Sequence, residues 1–388
     1  MMKVSIHPAA VAGAGPGTWA ARRISSIAAM SRPQQVAEPA EEIPVGSTRA
    51  GAGAQPAARP AKRRRWRRIA LVTVLVVALL GAGGTVAGVL WLRSVEQGID
   101  RVDAFTDVPE EARPEPVVRG ALNIMVLGSD SRDPENSSGS RTDTIILAHL
   151  PKDRSSAQLI SIPRDTWVPV PRSKDGRHGG REAKINAAFA WGGVPLMVQT
   201  VEKFTGVRID HVAMVDFAGF KEIVDALDGI EVDIERGFTS THSLNPDSRR
   251  TFAQGRQTLD GAAALDYARE RYAFPDGDFA RIRHQQQVIR AILDKAASGG
   301  LLTNPARLNA FVRATTDAVA VDRSLSLVDL ATETRHLRSG NLGFFTCPTR
   351  GTGRVGSESV VFADSARARS FFDAVRRDSV PDILKAGS

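Results

Sequence analysis

Asp130 lies just past the apolar run Leu122-Asn123-Ile124-Met125-Val126-Leu127 and Gly128, where the carboxyl end of a strand is expected. In open α/β sheets ligands gather at that edge. Thirteen residues later Arg141-Thr142-Asp143-Thr144 opens a second strand, and the loop between them can return Asp143 close to Asp130. Two such carboxylates suit Mg²⁺, with Mn²⁺ as the alternative, because Mg²⁺ takes one or two protein carboxylates and fills its shell with water and phosphate oxygens. Either Asp can instead cap a turn, and spacing alone leaves both readings open.

The cations come in a similar pattern. Arg164 ends a strand in Ser161-Ile162-Pro163-Arg164-Asp165, and Lys184 opens a helix in Lys184-Ile185-Asn186-Ala187-Ala188. Taken singly, each reads as a surface charge. Arg269 and Arg271 are two residues apart, so they cannot share one face of a regular helix. If both serve one anion, the chain is extended or unwound there, with Phe274-Pro275-Asp276-Gly277 ending the helix. The bland alternative is a solvated helix end, where the dipole also favours arginine. Asp278 is placed to cap the next helix, with Arg281 and Gln285 along one stripe and Ile282, Ile289 and Leu293 forming an apolar stripe beside it. Guanidinium groups grip phosphate oxygens through paired hydrogen bonds, so these residues together predict a metal-assisted phosphate or pyrophosphate site.

Other chemistries find no support. There is no Gly-rich phosphate loop ending in Gly-Lys, no His-Glu-x-x-His, and Ser129 lacks a Gly-x-Ser-x-Gly elbow. His149, His211 and His284 are scattered, and Cys347 is the single cysteine, which excludes an intramolecular disulfide framework and Cys-rich metal sites.

These residues need a scaffold. Apolar runs of strand length cover 121–127, 144–150, 157–162, 209–215, 230–234 and 343–346, and helical patterns cover 183–190, 194–204, 217–228, 260–270, 278–298, 305–319, 325–338 and 364–377. Interleaved strands and helices predict an α/β sandwich around one central sheet. The 388 residues carry a formal charge of +8, but twelve basic and three acidic groups lie in residues 1–68, leaving 69–388 at −1. Bulk charge therefore gives no case for a nucleic-acid partner. Residues 1–68 read as a disordered basic tail. The uncharged run 69–92, about 36 Å long as a helix, reads as a transmembrane helix edged by Trp66 and Trp91. The basic block before it predicts a cytoplasmic N-terminus and an extracytoplasmic domain on a single-pass anchor. Residues 93–118 read as a proline-stiffened stalk, 119–380 as the catalytic domain, and 381–388 as a tail.

The stretches NIMVLGSDSR (123–132), RTDTIILAHL (141–150), SIPRDTWVP (161–169), KINAAFA (184–190), TVEKFTGVRIDHVAMVDFAG (200–219) and 257–286 resemble the LytR-CpsA-Psr family of bacterial envelope proteins. The resemblance covers roughly residues 119–300, with a looser tail to about 380. It implies a central mixed sheet flanked by helices, with a hydrophobic groove for a polyprenyl tail. It also implies a Mg²⁺-dependent phosphotransferase that moves a glycopolymer, such as arabinogalactan or a teichoic-type chain, from a polyprenyl-pyrophosphate carrier to peptidoglycan. On that reading Asp130 and Asp143 hold the metal. Arg141, Arg164, Lys184, Arg269, Arg271, Arg281 and Gln285 bind pyrophosphate. Asp143, Arg164, Arg269, Arg271 and Asp278 act in catalysis, with Asp143 or Asp278 as the general base. The expected partners are the lipid-linked polymer, peptidoglycan and the membrane, with no nucleic acid and no obligate protein partner. Two rivals stand beside it: a polyisoprenyl pyrophosphatase that uses water as acceptor, and a non-enzymatic sensor or transcriptional attenuator.

Overall fold

The computed structural model describes residues 72–74, 91, 93–129, 142–241 and 249–380. The chain divides into two units, Met1–Arg68 and Ile69–Ser388, and all the described residues belong to the second. The expected tail, almost all of the expected span 69–92, the loop holding Asp130 and Arg141, and residues 381–388 lie outside the described residues. Among the described residues no helix is long and apolar enough to cross a membrane.

The strands run β1 Asp100–Val102, β2 Leu122–Ser129, β3 Thr142–Leu150, β4 Ala157–Ser161, β5 Trp167–Val170, β6 Arg181–Lys184, β7 His211–Asp216, β8 Ile230–Ile234, β9 Phe238–Thr239, β10 Thr251–Phe252, β11 Gly255–Leu259, β12 Val319–Asp322, β13 Leu342–Thr346, β14 Thr349–Val355 and β15 Glu358–Ala363. A mixed seven-stranded sheet has the order β1-β12-β7-β2-β3-β4-β13. Separate two-stranded ribbons form from β5-β6, β8-β11, β9-β10 and β14-β15. The helices are α1 Ala187–Thr205, α2 Phe217–Ala226, α3 Gly261–Arg269, α4 Asp278–Ala297, α5 Gly299–Leu302, α6 Pro305–Ala318, α7 Leu327–Thr334 and α8 Ser365–Arg376.

Period-two alternation sends successive side chains of β2 and β3 to opposite layers. Met125, Leu127, Ile145 and Leu147 pack with α1 and with Phe372 of α8, while Ile124, Ala148 and Leu150 pack toward Leu330 of α7. A second core gathers β8 to β11 with α2, α3 and α4. α1 is interrupted, as its Gly192-Gly193-Val194-Pro195 stretch dictates: Gly193 sits at φ 61°, ψ −154°, a region that only glycine occupies readily.

Three expectations require correction. The supposed stalk enters the fold, because Asp100–Val102 pairs in parallel with β12 and Ile99, Val102, Ala104 and Val108 are buried, so the domain starts well before Arg119. A three-residue strand is too short to show a period. Lys184 closes a strand rather than opening a helix, because residues 181–184 zip against β5 and α1 begins only at Ala187. On α4, Ile282 is buried as expected and Ile289 is half-buried, but Leu293 is exposed at 40%, and the buried face also takes in Ala280, His284, Val288 and Ala291.

Candidate functional site

The site begins with a break in the sheet. Gly128 pairs with Thr144 and Ser129 with Thr142, so the β2-β3 register slips and Asp143 is left as the extra residue. Such bulges bend a strand and re-aim its side chain. Thr142 is fully buried and fixes the bulge, its hydroxyl donating to the Gly128 carbonyl at 2.9 Å.

The re-aimed Asp143 carboxylate ion-pairs with Arg164. Arg164 follows β4, and its backbone is held by Asn186 N–H donating to its carbonyl at 3.2 Å. Its Nε lies 3.9 Å from carboxylate oxygens of both Asp165 and Asp278. Lys184 Nζ reaches Asp165 and Glu358, each at 3.7 Å. Arg281, only 4% exposed, places Nη2 2.6 Å from Asp278 Oδ1, though off the line of a hydrogen bond. Arg271, on the turn after α3, is close enough for its charge to act on both Asp278 and Arg281. Arg164, Lys184, Arg271 and Asp278 line one cavity of about 900 Å³.

The electrostatics of this cluster are tense. Burial, with the Asp165 charge adding to it, holds the Asp278 carboxyl above its ordinary range against the pull of Arg281 and Arg164. Burial likewise lowers Arg281 despite Asp278 beside it. At Arg164 burial works the other way from the result: the carboxylates of Asp143, Asp165 and Asp278 together outweigh it and raise the guanidinium further. Neither oxygen of Asp278 accepts a hydrogen bond among the described residues, and the buried Nε atoms of Arg164, Arg271 and Arg281 find no acceptor. Buried donors and acceptors left open cost stability, and functional sites are where such a cost is found.

The structure thus brings together Asp143, Arg164, Lys184, Arg271, Asp278 and Arg281. The chain leaves the helix between the two arginines, with Glu270 at φ −66°, ψ 133°, as a shared anion would require. Arg269, however, ends α3 with its guanidinium 4.5 Å over the Phe217 ring, and no ion pair joins it to the cluster among the described residues. Gln285 makes no hydrogen bond to the cluster either. Its neighbour Gln286 ties α4 to the sheet, donating to Ser161 Oγ at 3.2 Å and to the Phe345 carbonyl at 3.0 Å. Asp278 is the first residue of α4 rather than its N-cap, which is Gly277, and neither of its carboxylate oxygens accepts a hydrogen bond among the described residues.

Asp165, Glu270 and Glu358 escape sequence reasoning. Glu270 is fully buried, and its Oε1 accepts the N–H groups of Arg271, Tyr272 and Ala273 at 2.8, 2.7 and 3.0 Å. Thr241 binds its other oxygen through N–H and hydroxyl. Burial alone would raise this carboxyl, yet the bonds from Thr241, Ala273 and Tyr272 pull it down to about 2. An acid wedged between two arginines at a helix end was the available signal.

Carboxylate oxygens suit a hard cation, and of the expected pair the bulge-presented Asp143 fits Mg²⁺ by donor type, while Asp130 lies outside the described residues. Among the described residues no group of three or more His, Cys, Asp or Glu gathers as a ready-made cage. A dedicated protein cage is also not how Mg²⁺ is usually held.

Over 303 residues the chain is 33% identical to the cell wall biosynthesis protein LcpA of Corynebacterium glutamicum, spanning 68% of this chain and 57% of that protein. Over 205 residues it is 37% identical to the polyisoprenyl-teichoic acid–peptidoglycan teichoic acid transferase TagU of Bacillus cereus, spanning 53% of this chain and 60% of that protein. The chain therefore spans less than two thirds of either relative. The crystal structure of B. subtilis TagV matches the fold with a TM-score of 0.56 at 25% identity, over 68% of this chain and 98% of that one. The family profile itself runs through the bulge, the arginine cluster and α4, matching residues 94–377, and the chain belongs to the LytR_cpsA_psr family.

Proposed function

We propose that this domain is a phosphotransferase that moves a glycopolymer from a polyprenyl-pyrophosphate carrier to peptidoglycan, acting outside the cell on a single-pass anchor formed by residues 69–92. The observation that carries the reading is the cluster of Arg164, Arg271 and Arg281, whose buried Nε atoms find no acceptor among the described residues, with Arg164 and Arg271 lining the cavity beside Lys184. The name of the TagU relative, which joins a polyisoprenyl-linked polymer to peptidoglycan, supports it.

The reaction asks for positioning and charge stabilisation. Arg164, Arg271, Arg281 and Lys184 bind the pyrophosphate oxygens and offset the charge that builds on them. A peptidoglycan hydroxyl, in this reading the muramic acid C6 group, attacks the sugar-linked phosphorus. As its oxygen forms the new P–O bond, the bond to the bridging oxygen breaks and polyprenyl monophosphate leaves. Asp278, whose raised proton affinity suits a base, takes the hydroxyl proton. Asp143, with Asp130, would hold a Mg²⁺ ion, which would supply Lewis-acid chemistry at the phosphoryl group.

Full-length protein in detergent with Mg²⁺, a synthetic polyprenyl-pyrophosphate glycan and peptidoglycan oligomers tests this, with products read by mass spectrometry. A phosphodiester-linked adduct that disappears in Arg164→Ala is the expected result. Free sugar phosphate and lipid phosphate, with acceptor present and no adduct, would replace the transferase with a pyrophosphatase.

A further inference from the structure

The 900 Å³ cavity is far larger than a pyrophosphate and lies at the upper end of ordinary ligand pockets, which run from about 300 to 1,000 Å³. Beyond the arginines its wall is the β5-β6 ribbon, with Trp167, Arg181 and Glu182, joined by Glu358 of β15. Trp167 pairs directly with Lys184 across this ribbon. Cross-strand partners leave the same face with Cβ atoms about 5 Å apart, so the indole stands one side chain away from the cation that holds Asp165.

The two tryptophans of the cavity differ in what they offer. Trp191 is already engaged: His178 stacks on it at 5.8 Å with 14° between planes, and the Arg181 guanidinium lies 5.1 Å from its ring. That stack holds Arg181 at the cavity edge. Trp167 donates through Nε1 to Glu182 Oε2 at 3.2 Å, and among the described residues no ring or guanidinium covers its face. A half-buried indole that lines the cavity with a satisfied edge, and with no ring or guanidinium stacked on it among the described residues, is left to explain beside acids and a guanidinium.

We propose that Trp167, with Arg181, Glu182 and Glu358, forms a saccharide subsite. Resting on the proposed function, the inference places a sugar ring against the indole while a phosphate linked to it is held at Arg164 and Lys184. A pyranose has one apolar C–H face and a rim of hydroxyls, so it satisfies the indole and the charged rim together. A polyisoprenyl chain would desolvate Glu182 and Arg181 without bonding them, at a cost of kilocalories for each group. A second phosphate would face the Glu182 and Glu358 carboxylates.

Donor and acceptor glycans share this chemistry, and three probes separate them. Calorimetry on the full-length protein in detergent with Mg²⁺ would use sugar-free polyprenyl pyrophosphate, the same lipid carrying a disaccharide, and a soluble peptidoglycan glycan fragment. Trp167→Ala should weaken the sugar-bearing lipid about tenfold and leave the sugar-free lipid within twofold, which also shows that the variant is folded. Trp167→Phe should recover most of the loss. A loss confined to the glycan fragment would assign the subsite to the acceptor. Unchanged binding of all three probes, or equal weakening of both lipids, would overturn the subsite. Failure of the wild-type protein to bind either lipid would instead remove the proposed function, and Arg164→Ala, expected to weaken both, marks that difference.

Discussion

Glu270 and Asp278 are buried carboxylates eight residues apart, and they titrate in opposite directions. Glu270 is enclosed by N–H donors of its own turn and of Thr241, and its carboxyl falls to about 2. Asp278 has three guanidinium groups nearby, those of Arg281, Arg164 and Arg271, but accepts no hydrogen bond among the described residues, and burial raises it. Burial is thus common to both, and the supply of oriented donors decides the sign. The satisfied acid is scaffold: it fixes the turn that carries Arg271. The unsatisfied acid sits where chemistry can use it.

The largest expected effect is at Arg164, the hub of the cluster. Arg164→Ala should reduce transfer turnover by about 10²–10³-fold, measured as adduct formed per unit time, since it removes a charge-stabilising donor. Asp278→Asn should follow with a loss of about 10²-fold. Because the base form is the active one and its folded proton affinity is raised, wild-type turnover should climb with pH through a midpoint above the ordinary carboxylate range. The Asn variant should lose that acid limb.

Glu270→Gln should act on stability instead, costing roughly 2–3 kcal/mol in denaturant unfolding near neutral pH. Its folded carboxyl, at about 2, lies below the ordinary value of 4.5. The ionised acid therefore stabilises the fold fully above pH 4.5, and the gap between variant and wild type should close as pH falls toward 2. His284 gives the smallest effect. Burial, first, and then the Arg283 charge hold it down to about 4, and its ring lies 4.3 Å from Tyr267 and parallel to Phe238. Its neutral form must be kept, so stability is complete above pH 6.5 and falls as pH drops toward 4. His284→Phe should spare about 2 kcal/mol of that loss at pH 5, read by thermal unfolding across a pH series.

Long elements with a clear period were legible in the chain. The runs 121–127, 144–150 and 230–234 return as strands almost unshifted, and the Gly-Gly-x-Pro break in α1 falls where its residues require it. What escaped was pairing between short segments far apart in sequence. β1 and β12 meet across more than 200 residues, and the β5-β6 ribbon took Lys184 away from the helix its neighbours suggested. At the site the residue types were readable because Asp and Arg at strand and helix ends announce themselves. Their partnerships were not, since the contacts of Arg164 with Asp143 and Asp278 depend on a bulge and on a helix more than 100 residues away.

The most direct test measures turnover and unfolding free energy on the same preparations of Asp278→Asn and Glu270→Gln. The account predicts that Asp278→Asn loses about 10²-fold in turnover with stability within about 1 kcal/mol of wild type, while Glu270→Gln unfolds markedly more easily. An Asp278→Asn protein that transfers at the wild-type rate, with its loss appearing only in stability, would contradict it.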